Sequence, residues 1–465
     1  MSALTSLISN LKDPNIEKAI KVNLIHDVCK NEPWIKEVFL MTYDPYYQYY
    51  VKTKFPKLVD NSGANNSKLI DFDINYWNSF MKDFLLKLNK RDYDTKTYTD
   101  IINNQLCSLS NENQEIFRSI IFKDLRIGFA AKSINSAIDE ELIPVSECQL
   151  CKVWDPSMNI KNVEGFYASR KLNGLRGQFK SRNGKYVFLT REELPLIGFN
   201  EIEKELNQLQ LEYDLSLIDG EVFTQNIPFQ TIISIARGEK SFNPEEKKLL
   251  KFNIFNIQKN NYKWKNTKEM IDYINKIFEK STFDYIVALE YEYVKNNSDD
   301  ILNKCIQYTN EGFEGIVLRD PVISYEPGKR NNHLLKYKLF AECDLIVKDV
   351  LFGAKGKKWE NSVTALLCEG IVRCKKININ NTISYQPVSL DQNSTDCEYI
   401  NIPVSVEAAC SSLTDKERNN LTNTSKDKII GRVAEVKFQT ITDKPDENGI
   451  YSLQFPVFMK FKDLN

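Results

Sequence analysis

The spacing of apolar residues changes part-way along this 465-residue chain, and the change limits the folds that the chain can adopt. Before about residue 145, apolar residues recur every three or four positions, as in the stretch 77–88, which is typical of amphipathic helices. From residue 165, short apolar runs alternate with turn residues and helical stretches, which predicts mixed strands and helices. After residue 341 the pattern indicates a small all-β unit. We therefore expect a helical part, an α+β part and a β part.

Composition is that of an ordinary globular protein, with 42% hydrophobic and 27% charged residues. The net charge is −1, so nucleic-acid binding would have to rely on local basic surfaces. The chain has no apolar run of about 18 residues and its N-terminus lacks the pattern of a signal peptide. We therefore expect an intracellular protein whose ten cysteines are reduced. The close pair Cys148 and Cys151 lacks the further ligands that a zinc site requires.

Helices are predicted over residues 16–30, 34–42, 77–88, 97–107 and 111–122. The tyrosine-rich stretch Tyr43–Val51 is expected to be a helix that packs its rings into the core. A later segment, 123–133, combines basic and small residues, so the backbone could approach a phosphate ribbon closely. Its basic residues and glycine are Lys123, Arg126, Gly128 and Lys132. Tight packing between helices explains the same pattern equally well.

A lysine marks the centre of the α+β part. Lys171 ends a short strand, Asn173 and Gly174 form a turn, and Arg176 begins the next strand. Such a lysine can be a solvated strand end. It can also be a nucleophile, which must be neutral to attack and so requires a pKa lowered by burial or by nearby positive charge.

Further charged residues lie on apolar strands downstream. Asp219 and Glu221 are two residues apart on one strand face, where paired carboxylates are costly unless they meet a cation or solvent. Glu314 enters an apolar strand, which favours a functional role. Lys336 and Lys338 share one strand face and could bind a triphosphate, although a sheet with one solvated face also explains them.

Five elements follow in order: Lys171–Arg176, Thr190–Arg191, Asp219–Glu221, Glu314–Arg319 and Leu335–Lys338. They resemble the motif series of the ATP-dependent DNA ligases, a family of covalent nucleotidyltransferases. The stretches 34–54, 124–128 and 455–460 resemble the T-even phage type. The resemblance implies a multidomain α+β protein: a helical N-terminal DNA-binding domain (1–146), an α+β nucleotidyltransferase (adenylation) domain (147–340) and a C-terminal β-barrel OB-fold (341–465).

The resemblance also implies a reaction in DNA replication, repair and recombination. Lys171 would attack the α-phosphate of ATP, the AMP would pass to the 5′-phosphate of nicked double-stranded DNA, and the 3′-hydroxyl would then displace it. Mg²⁺ would neutralise the phosphates, with Glu221 and Glu314 as ligands. The residues implied to contact AMP, the phosphates or the nick are Arg176, Arg191, Glu221, Phe255, Glu314, Arg330, Lys336 and Lys338, and those implied to contact DNA are Lys123, Arg126 and Lys132. Ser169 falls where the family often contacts adenine.

The chain departs from the family's pattern at three places. Asn173 and Asn256 replace aspartates, and the last motif is shortened to Lys460–Leu464, which predicts weak self-adenylation. The alternatives are an RNA ligase, a capping guanylyltransferase and a non-catalytic protein that binds DNA ends. The protein is expected to be a monomer without a membrane partner, in the host cytoplasm if viral, with the nucleus as an alternative. The stretch 377–428 is expected to be a long loop region.

Overall fold

The computed structural model describes residues 2–51, 55–62, 69–158, 160–161, 163–182, 184–225, 227–237, 244–355, 358–379, 382–387, 399–442 and 445–462, with only the backbone at 237, 244, 376–379 and 382–387. The chain divides into two compact units. The first comprises Met1–Cys148 and Val187–Leu196, and the second comprises Gln149–Tyr186 and Ile197–Asn465. Within the described ranges, no helix is both long enough and apolar enough to cross a membrane.

The first unit is helical. Its helices are α1 (Ala3–Lys12), α2 (Lys18–Asn31), α3 (Trp34–Tyr43), α4 (Ile74–Tyr76), which continues through a π-helical turn (Trp77–Met81) into α5 (Lys82–Lys90), α6 (Thr95–Ser108), α7 (Asn111–Ile121) and α8 (Ala131–Ile138). Side chains of Ser2, Asp94 and Ser110 cap α1, α6 and α7 by accepting a hydrogen bond from a free backbone amide of the first turn. The apolar faces pack into one core around Phe39, Trp77 and Phe117.

Helices α2, α3, α5, α6 and α7 coincide with the stretches predicted from apolar spacing, whereas the helix predicted over the tyrosine-rich stretch is wrong. Helix α3 ends at Tyr43, and the Asp44 carboxylate then accepts a hydrogen bond from the amide of Tyr46 (2.9 Å). Pro45 cannot continue a helix because it lacks an amide hydrogen and disfavours helical geometry in the preceding residue. The non-helical stretch still buries Tyr49 in the core. Residues 52–54, at the end of the phage-like stretch, lie outside the described residues.

The second unit begins with two mixed sheets and their helices. The first sheet has the order β1 (Lys152–Val153), β10 (Leu334–Tyr337), β9 (Gly315–Arg319), β2 (Gly165–Lys171) and β8 (Glu292–Lys295). The second contains, in this order, β3 (Leu175–Arg182), β5 (Leu215–Phe223), β6 (Lys251–Lys259) and β7 (Ile286–Ala288). Strand β4 (Lys185–Thr190) runs from the second unit into the first. The helices are α9 (Asn200–Tyr213), α10 (Phe229–Arg237), α11 (Pro244–Lys247), α12 (Thr267–Lys280) and α13 (Ser298–Asn310).

The last part of the chain forms a third sheet. Its elements are β11 (Ala341–Phe352), β12 (Val363–Ile379), β13 (Thr382–Pro387), β14 (Tyr399–Ala409), α14 (Asp415–Asn423), β15 (Val433–Phe438) and β16 (Val457–Lys462). Strand β11 pairs with both β12 and β15, β14 pairs with both β12 and β16, and β15 pairs with β16. These pairings close a circuit of five strands around an apolar core.

One expectation for this third sheet is wrong, and one glycine within it has a clear structural role. Gly370 lies within the continuous strand β12, where a Cβ would lie 2.7 Å from Leu345 of β11. Glycine here therefore permits close packing between strands. The predicted loop region 377–428 contains β13, β14 and α14, and β14 lies between two other strands of the sheet. Residues 380–381 and 388–398 of that region lie outside the described residues.

Candidate active site

Lys171 lies where the chain passes from the first sheet into the second. Strand β2, which ends at Lys171, pairs with β8 and β9, whereas β3 pairs with β5. The predicted Asn-Gly turn therefore links two sheets instead of forming a hairpin. A Cβ at Gly174 would lie 2.2 Å from the carbonyl oxygen of Val222, so only glycine fits this close approach.

The ammonium group of Lys171 forms an ion pair with Glu314, directly before β9. One carboxylate oxygen of Glu314 pairs with Lys171 and the other pairs with Lys338. All three side chains are largely buried, so their charges interact with little screening by water. Lys338 also donates a hydrogen bond to the side chain of Gln439 (3.0 Å), and its ammonium lies 5.1 Å from the ring centroid of Phe455.

Burial and the neighbouring charges shift the pKa values of these three groups in different directions. Burial alone would lower the pKa of Lys171, but the ion pair with Glu314 outweighs it and the pKa of Lys171 is raised. Burial would raise the pKa of Glu314, but the two lysines hold that pKa below its ordinary value. For Lys338, burial and the positive charges of Lys171 and Lys336 prevail over Glu314, and its pKa is lowered. The ion pair therefore favours the charged form of Lys171, whereas nucleophilic attack requires the neutral amine.

Glu221 adds a second carboxylate near Lys171. It lies on β5, opposite Arg176 of β3, and burial raises its pKa to about 7 against the opposing charges of Lys171 and Arg176. The side chain is therefore poised to lose or gain a proton near neutral pH. A cation at this carboxylate would favour its charged form.

Arg176 is held by two bonds to one carboxylate. Its Nε donates to Asp219 Oδ1 (3.0 Å) and its Nη2 donates to Asp219 Oδ2 (2.6 Å), while Nη1 donates to the carbonyl oxygen of Gln149 (2.9 Å). Asp219 is fully buried. The two predicted acids thus differ in role, because Asp219 orients Arg176 whereas Glu221 remains near Lys171.

The ring of Phe255 lies beside two guanidinium groups. It occurs at a β-bulge, where the register between β5 and β6 shifts after Asp219. The ring centroid lies 5.3 Å from Cζ of Arg176 and 5.3 Å from Cζ of Arg319, which are favourable cation–π distances. The carbonyl oxygen of Phe255 accepts a hydrogen bond from the hydroxyl of Tyr291 (3.0 Å).

Three buried polar groups in this region have an atom with no hydrogen-bond partner among the described residues: Ser169 Oγ, Asn256 Nδ2 and Arg319 Nε. The side-chain oxygen of Asn256 accepts a hydrogen bond from the side chain of Gln258, whereas its amide nitrogen has no partner among the described residues. Buried donors are nearly always satisfied in proteins, so such a group is consistent with a polar ligand. Ser169 lies on β2 and Arg319 on the neighbouring strand β9.

The remaining phosphate-binding candidates lie at the end of the first sheet. Lys336 is half-buried on β10, with Val153 of β1 and Val317 of β9 as its neighbours in register. Arg330 is exposed in the polar loop before β10. Of the shortened last motif, Lys462 pairs with Asp344 (2.7 Å), and residues 463–464 lie outside the described residues.

Arg191 and the predicted DNA-contacting residues belong to the first unit. Arg191 pairs with its neighbour Glu192 (2.6 Å). Arg126 and Lys132 are exposed, whereas the ammonium of Lys123 donates to the carbonyl oxygens of Met41 (3.2 Å) and Asp44 (2.6 Å). A Cβ at Gly128 would meet nothing within 4 Å, so tight packing between helices does not explain that glycine.

Within the described part of the chain, no group of three or more histidine, cysteine or acidic side chains could hold a metal ion. Glu221 and Glu314 remain candidates for a weaker type of site, in which Glu314 would have to exchange a lysine partner for the cation. Mg²⁺ is commonly bound by one or two carboxylates together with substrate phosphates and water. Burial raises the pKa of Glu221 to about 7, and a bound cation would lower it again.

The sequence of residues 148–338 matches a family model described as ATP dependent DNA ligase domain. Residues 148–338 are thus similar to ATP-dependent DNA ligase domains. A DNA ligase of African swine fever virus (isolate Warthog/Namibia/Wart80/1980) is 30% identical over 194 residues, which are 40% of this chain and 45% of the relative. The DNA ligase of Haemophilus influenzae is 29% identical over 214 residues, 45% of this chain and 71% of the relative. This chain thus matches less than half the length of the viral relative.

A solved structure titled Pmar-Lig_Pre. has the same fold over 99% of both chains, with a TM-score of 0.70 and 21% identity. The family match and this shared fold together confirm the predicted α+β domain with mixed sheets. Inside this domain, the sequence motifs placed Lys171, Glu221, Glu314 and Lys338 in one site. They missed Tyr291, because its hydroxyl reaches Phe255 through tertiary structure that no local motif encodes.

Proposed function

We propose that this chain is an ATP-dependent DNA ligase that seals nicks in duplex DNA. The observation that carries the proposal is the ion pair of Lys171 with Glu314 at the junction of the two sheets in the ligase domain. Glu221 lies close enough to this buried lysine to raise its pKa, and Arg176 lies opposite Glu221 on the neighbouring strand.

In the first step, Nζ of Lys171 attacks the α-phosphorus of ATP, a P–N bond forms and pyrophosphate leaves. The ammonium must first lose a proton, and the ion pair with Glu314 opposes this loss. Binding that draws the Glu314 carboxylate away from Lys171 would lower the lysine's pKa and activate it. The AMP then passes to the 5′-phosphate of the nick, and attack by the 3′-hydroxyl releases it.

The other candidate residues bind and orient the substrates. Phe255 stacks on the adenine, and the free donor groups of Ser169 and Asn256 select its polar edge. Lys336, Lys338 and Arg330 bind the phosphates, while Arg176 and Arg191 contact the AMP or the nick. Positioning and neutralisation of charge provide most of the catalysis in phosphoryl transfer.

Mg²⁺ would be held by Glu221 and Glu314, and when bound it neutralises phosphate charge. Arg126 and Lys132 are the exposed basic groups proposed to contact the DNA backbone, with Lys123 supporting their loop through its bonds to backbone oxygens. We further propose a division into a DNA-binding domain (1–146), an adenylation domain (147–340) and an OB-fold (341–465). The closed circuit of strand pairings supports the last assignment.

The test is nucleotide labelling in the presence of Mg²⁺. Protein pre-treated with pyrophosphate, which removes bound AMP by reversing the first step, is incubated separately with α-labelled ATP, GTP and NAD. Lys171→Ala is compared with Lys204→Ala, which removes an exposed lysine from α9. Label from ATP alone, abolished by Lys171→Ala and unchanged by Lys204→Ala, supports a lysyl-AMP enzyme.

Sealing assays then separate the alternatives. Joining of a nick in all-DNA duplex supports the DNA ligase, whereas joining only of RNA-containing strands would assign an RNA ligase. Label from GTP would assign a capping enzyme. A folded protein that takes no label from any nucleotide would overturn the proposal and favour a non-catalytic DNA-binding protein.

A further inference from the structure

A cavity of about 620 Å³ lies at the end of β6 and along α12, and none of the residues described around Lys171 lines it. Its wall carries four lysines: Lys259, Lys265, Lys268 and Lys276. This volume is in the range of pockets that bind small ligands or one nucleotide unit.

Lys265 also lines a second cavity, of about 420 Å³, and the surface that lines the two cavities is here called the lysine groove. The second cavity adds Lys263 and Lys329. Six lysines and three carboxylates line the groove, which gives it a formal charge of +3 in a chain whose net charge is −1. The groove is therefore a local basic surface of the kind needed for contact with a polyanion.

The carboxylates of the groove already have partners within the protein. Glu269 accepts hydrogen bonds from the hydroxyl of Tyr262 (2.6 Å) and the backbone amide of Lys265 (2.7 Å). Asp272 pairs with Lys268 (2.6 Å). Lys263 and Lys265 are both exposed, so their side chains are accessible to a ligand in the groove.

Aromatic rings form the floor of the same groove. Trp264 is buried and its indole nitrogen donates to the carbonyl oxygen of Ile257 (2.7 Å), which fixes the ring. Tyr262 and Tyr273 pack against Trp264 with centroid distances of 5.1 and 5.2 Å. Tyr262 remains 43% exposed, which makes it the candidate on which a flat ligand could stack.

We propose that the lysine groove binds a single-stranded segment of nucleic acid, in addition to the duplex bound at the active site. Single-strand sites combine a basic groove that follows the phosphates with aromatic side chains on which bases stack. Here the lysines of both cavities follow the backbone, and Tyr262 provides the stacking surface. An acidic peptide would use the lysines but would leave the exposed ring without a partner, so nucleic acid fits the groove better.

The experiment measures binding of a fluorescent oligothymidylate of about 12 nucleotides, a length typical of single-strand sites. The host protein is the full chain carrying Lys171→Ala, saturated with unlabelled nicked duplex so that the active site is occupied. The double variant Lys263→Ala/Lys265→Ala is expected to weaken binding about 5- to 10-fold and to reduce the salt slope by roughly 0.7 per lost phosphate contact. Lys96→Ala/Lys204→Ala, which removes two exposed lysines elsewhere, serves as the matched control.

Stacking is tested separately from charge. Tyr262→Ala is expected to weaken binding of oligothymidylate at least about 5-fold, whereas Tyr262→Phe retains it. An abasic oligomer of the same length should bind Tyr262→Ala and the unchanged host equally well. Thermal unfolding of each variant verifies that the fold is intact.

Equal affinity of the groove variants and the control variant would overturn the proposal. Complete displacement of the oligothymidylate by nicked duplex would also overturn it, because both ligands would then share the active site. A poly-glutamate peptide that binds the host and loses affinity in the lysine variants, while oligothymidylate does not bind, would assign the groove to an acidic protein segment. These outcomes are independent of nucleotide labelling at Lys171.

Discussion

The backbone amide of Glu314 donates a hydrogen bond to the carbonyl oxygen of Lys171 (2.9 Å), so the ion pair between their side chains is tied to the pairing of β2 with β9. A rigid backbone contact therefore holds the carboxylate beside the ammonium. The same carboxylate binds Lys338. Changes to Glu314 should consequently alter the protonation of Lys171 without moving the lysine itself.

The pH dependence of adenylation tests this coupling. Because the pKa of Lys171 is raised, the fraction of neutral amine increases with pH and the single-turnover rate of adenylation should rise through the alkaline range. Glu314→Gln removes the negative charge and should shift that rise to lower pH, even if the maximal rate falls. Glu212→Gln, an exposed change on α9, should leave the profile in place. An unshifted profile in Glu314→Gln would show that the ion pair does not control the lysine.

Gly315 is expected to tolerate no side chain. Its φ is +148° and a Cβ would lie 2.3 Å from the carbonyl oxygen of Tyr337. Gly315→Ala should therefore lower the free energy of unfolding by roughly 2–4 kcal/mol and abolish adenylation, because β9 and β10 must move apart. Gly449→Ala has a positive φ but open space, so it should cost only about 1 kcal/mol. Denaturant titration of both variants measures the difference, and equal losses would contradict the clash.

Removal of Arg176 should destabilise the ligase domain as well as impair catalysis. Arg176→Ala leaves the fully buried carboxylate of Asp219 without its two-bond partner, at a cost of about 3–5 kcal/mol. Arg176→Lys keeps the charge but cannot form both bonds, so an intermediate loss is expected. The double variant Arg176→Leu/Asp219→Asn should recover stability without activity. Urea denaturation checks the series, and a stable Arg176→Ala protein would refute the argument.

Glu221 should make the protein less stable as pH rises. Its folded pKa of about 7 lies above the ordinary 4.5, so the folded state prefers the neutral carboxyl. The destabilisation is absent below about pH 4.5, develops between pH 4.5 and 7, and is complete above pH 7. Glu221→Gln should therefore raise stability at pH 8, by on the order of 1 kcal/mol after allowance for partial exposure, and change little at pH 4. Denaturation at both pH values measures the effect, and a pH-independent difference would contradict it.

Because Phe255 lies beside the guanidinium groups of Arg176 and Arg319, we expect changes to its ring to alter the affinity for ATP. Phe255→Leu retains apolar volume but loses the aromatic face, so the KM for ATP should rise about 5-fold or more while the fold persists. Phe255→Tyr should retain most of the affinity. Adenylation kinetics at several ATP concentrations distinguish the variants, and unchanged KM in Phe255→Leu would exclude a stacking role.

Local patterns in the sequence predicted much of the secondary structure but not the pairing that builds the site. Helices α6 and α7 lie at the stretches predicted for them, because apolar spacing determines them locally. The crossing from β2 to β3 could not be predicted, since an Asn-Gly turn normally closes a hairpin. Here close packing against Val222 decides its geometry.

Side-chain partners were harder still to predict. The motifs located Lys171 and Glu314, but only the sheet registers reveal that one carboxylate serves both Lys171 and Lys338. The direction of the lysine's pKa shift follows from that shared contact. Arg319 lies within a predicted motif. Its position beside Phe255 depends on a β-bulge, which no pattern of residues in the sequence predicts.

The contact between Lys338 and Gln439 limits how parts of this protein can be exchanged with those of relatives. Lys338 directly follows β10 of the first sheet, and Gln439 directly follows β15 of the third sheet. A chimaera that joins this ligase domain to a foreign C-terminal part would retain Lys338 but could replace the amide that binds it. Gln439 must therefore be inherited together with Lys338, and any recombination boundary drawn at residue 340 divides a single functional contact.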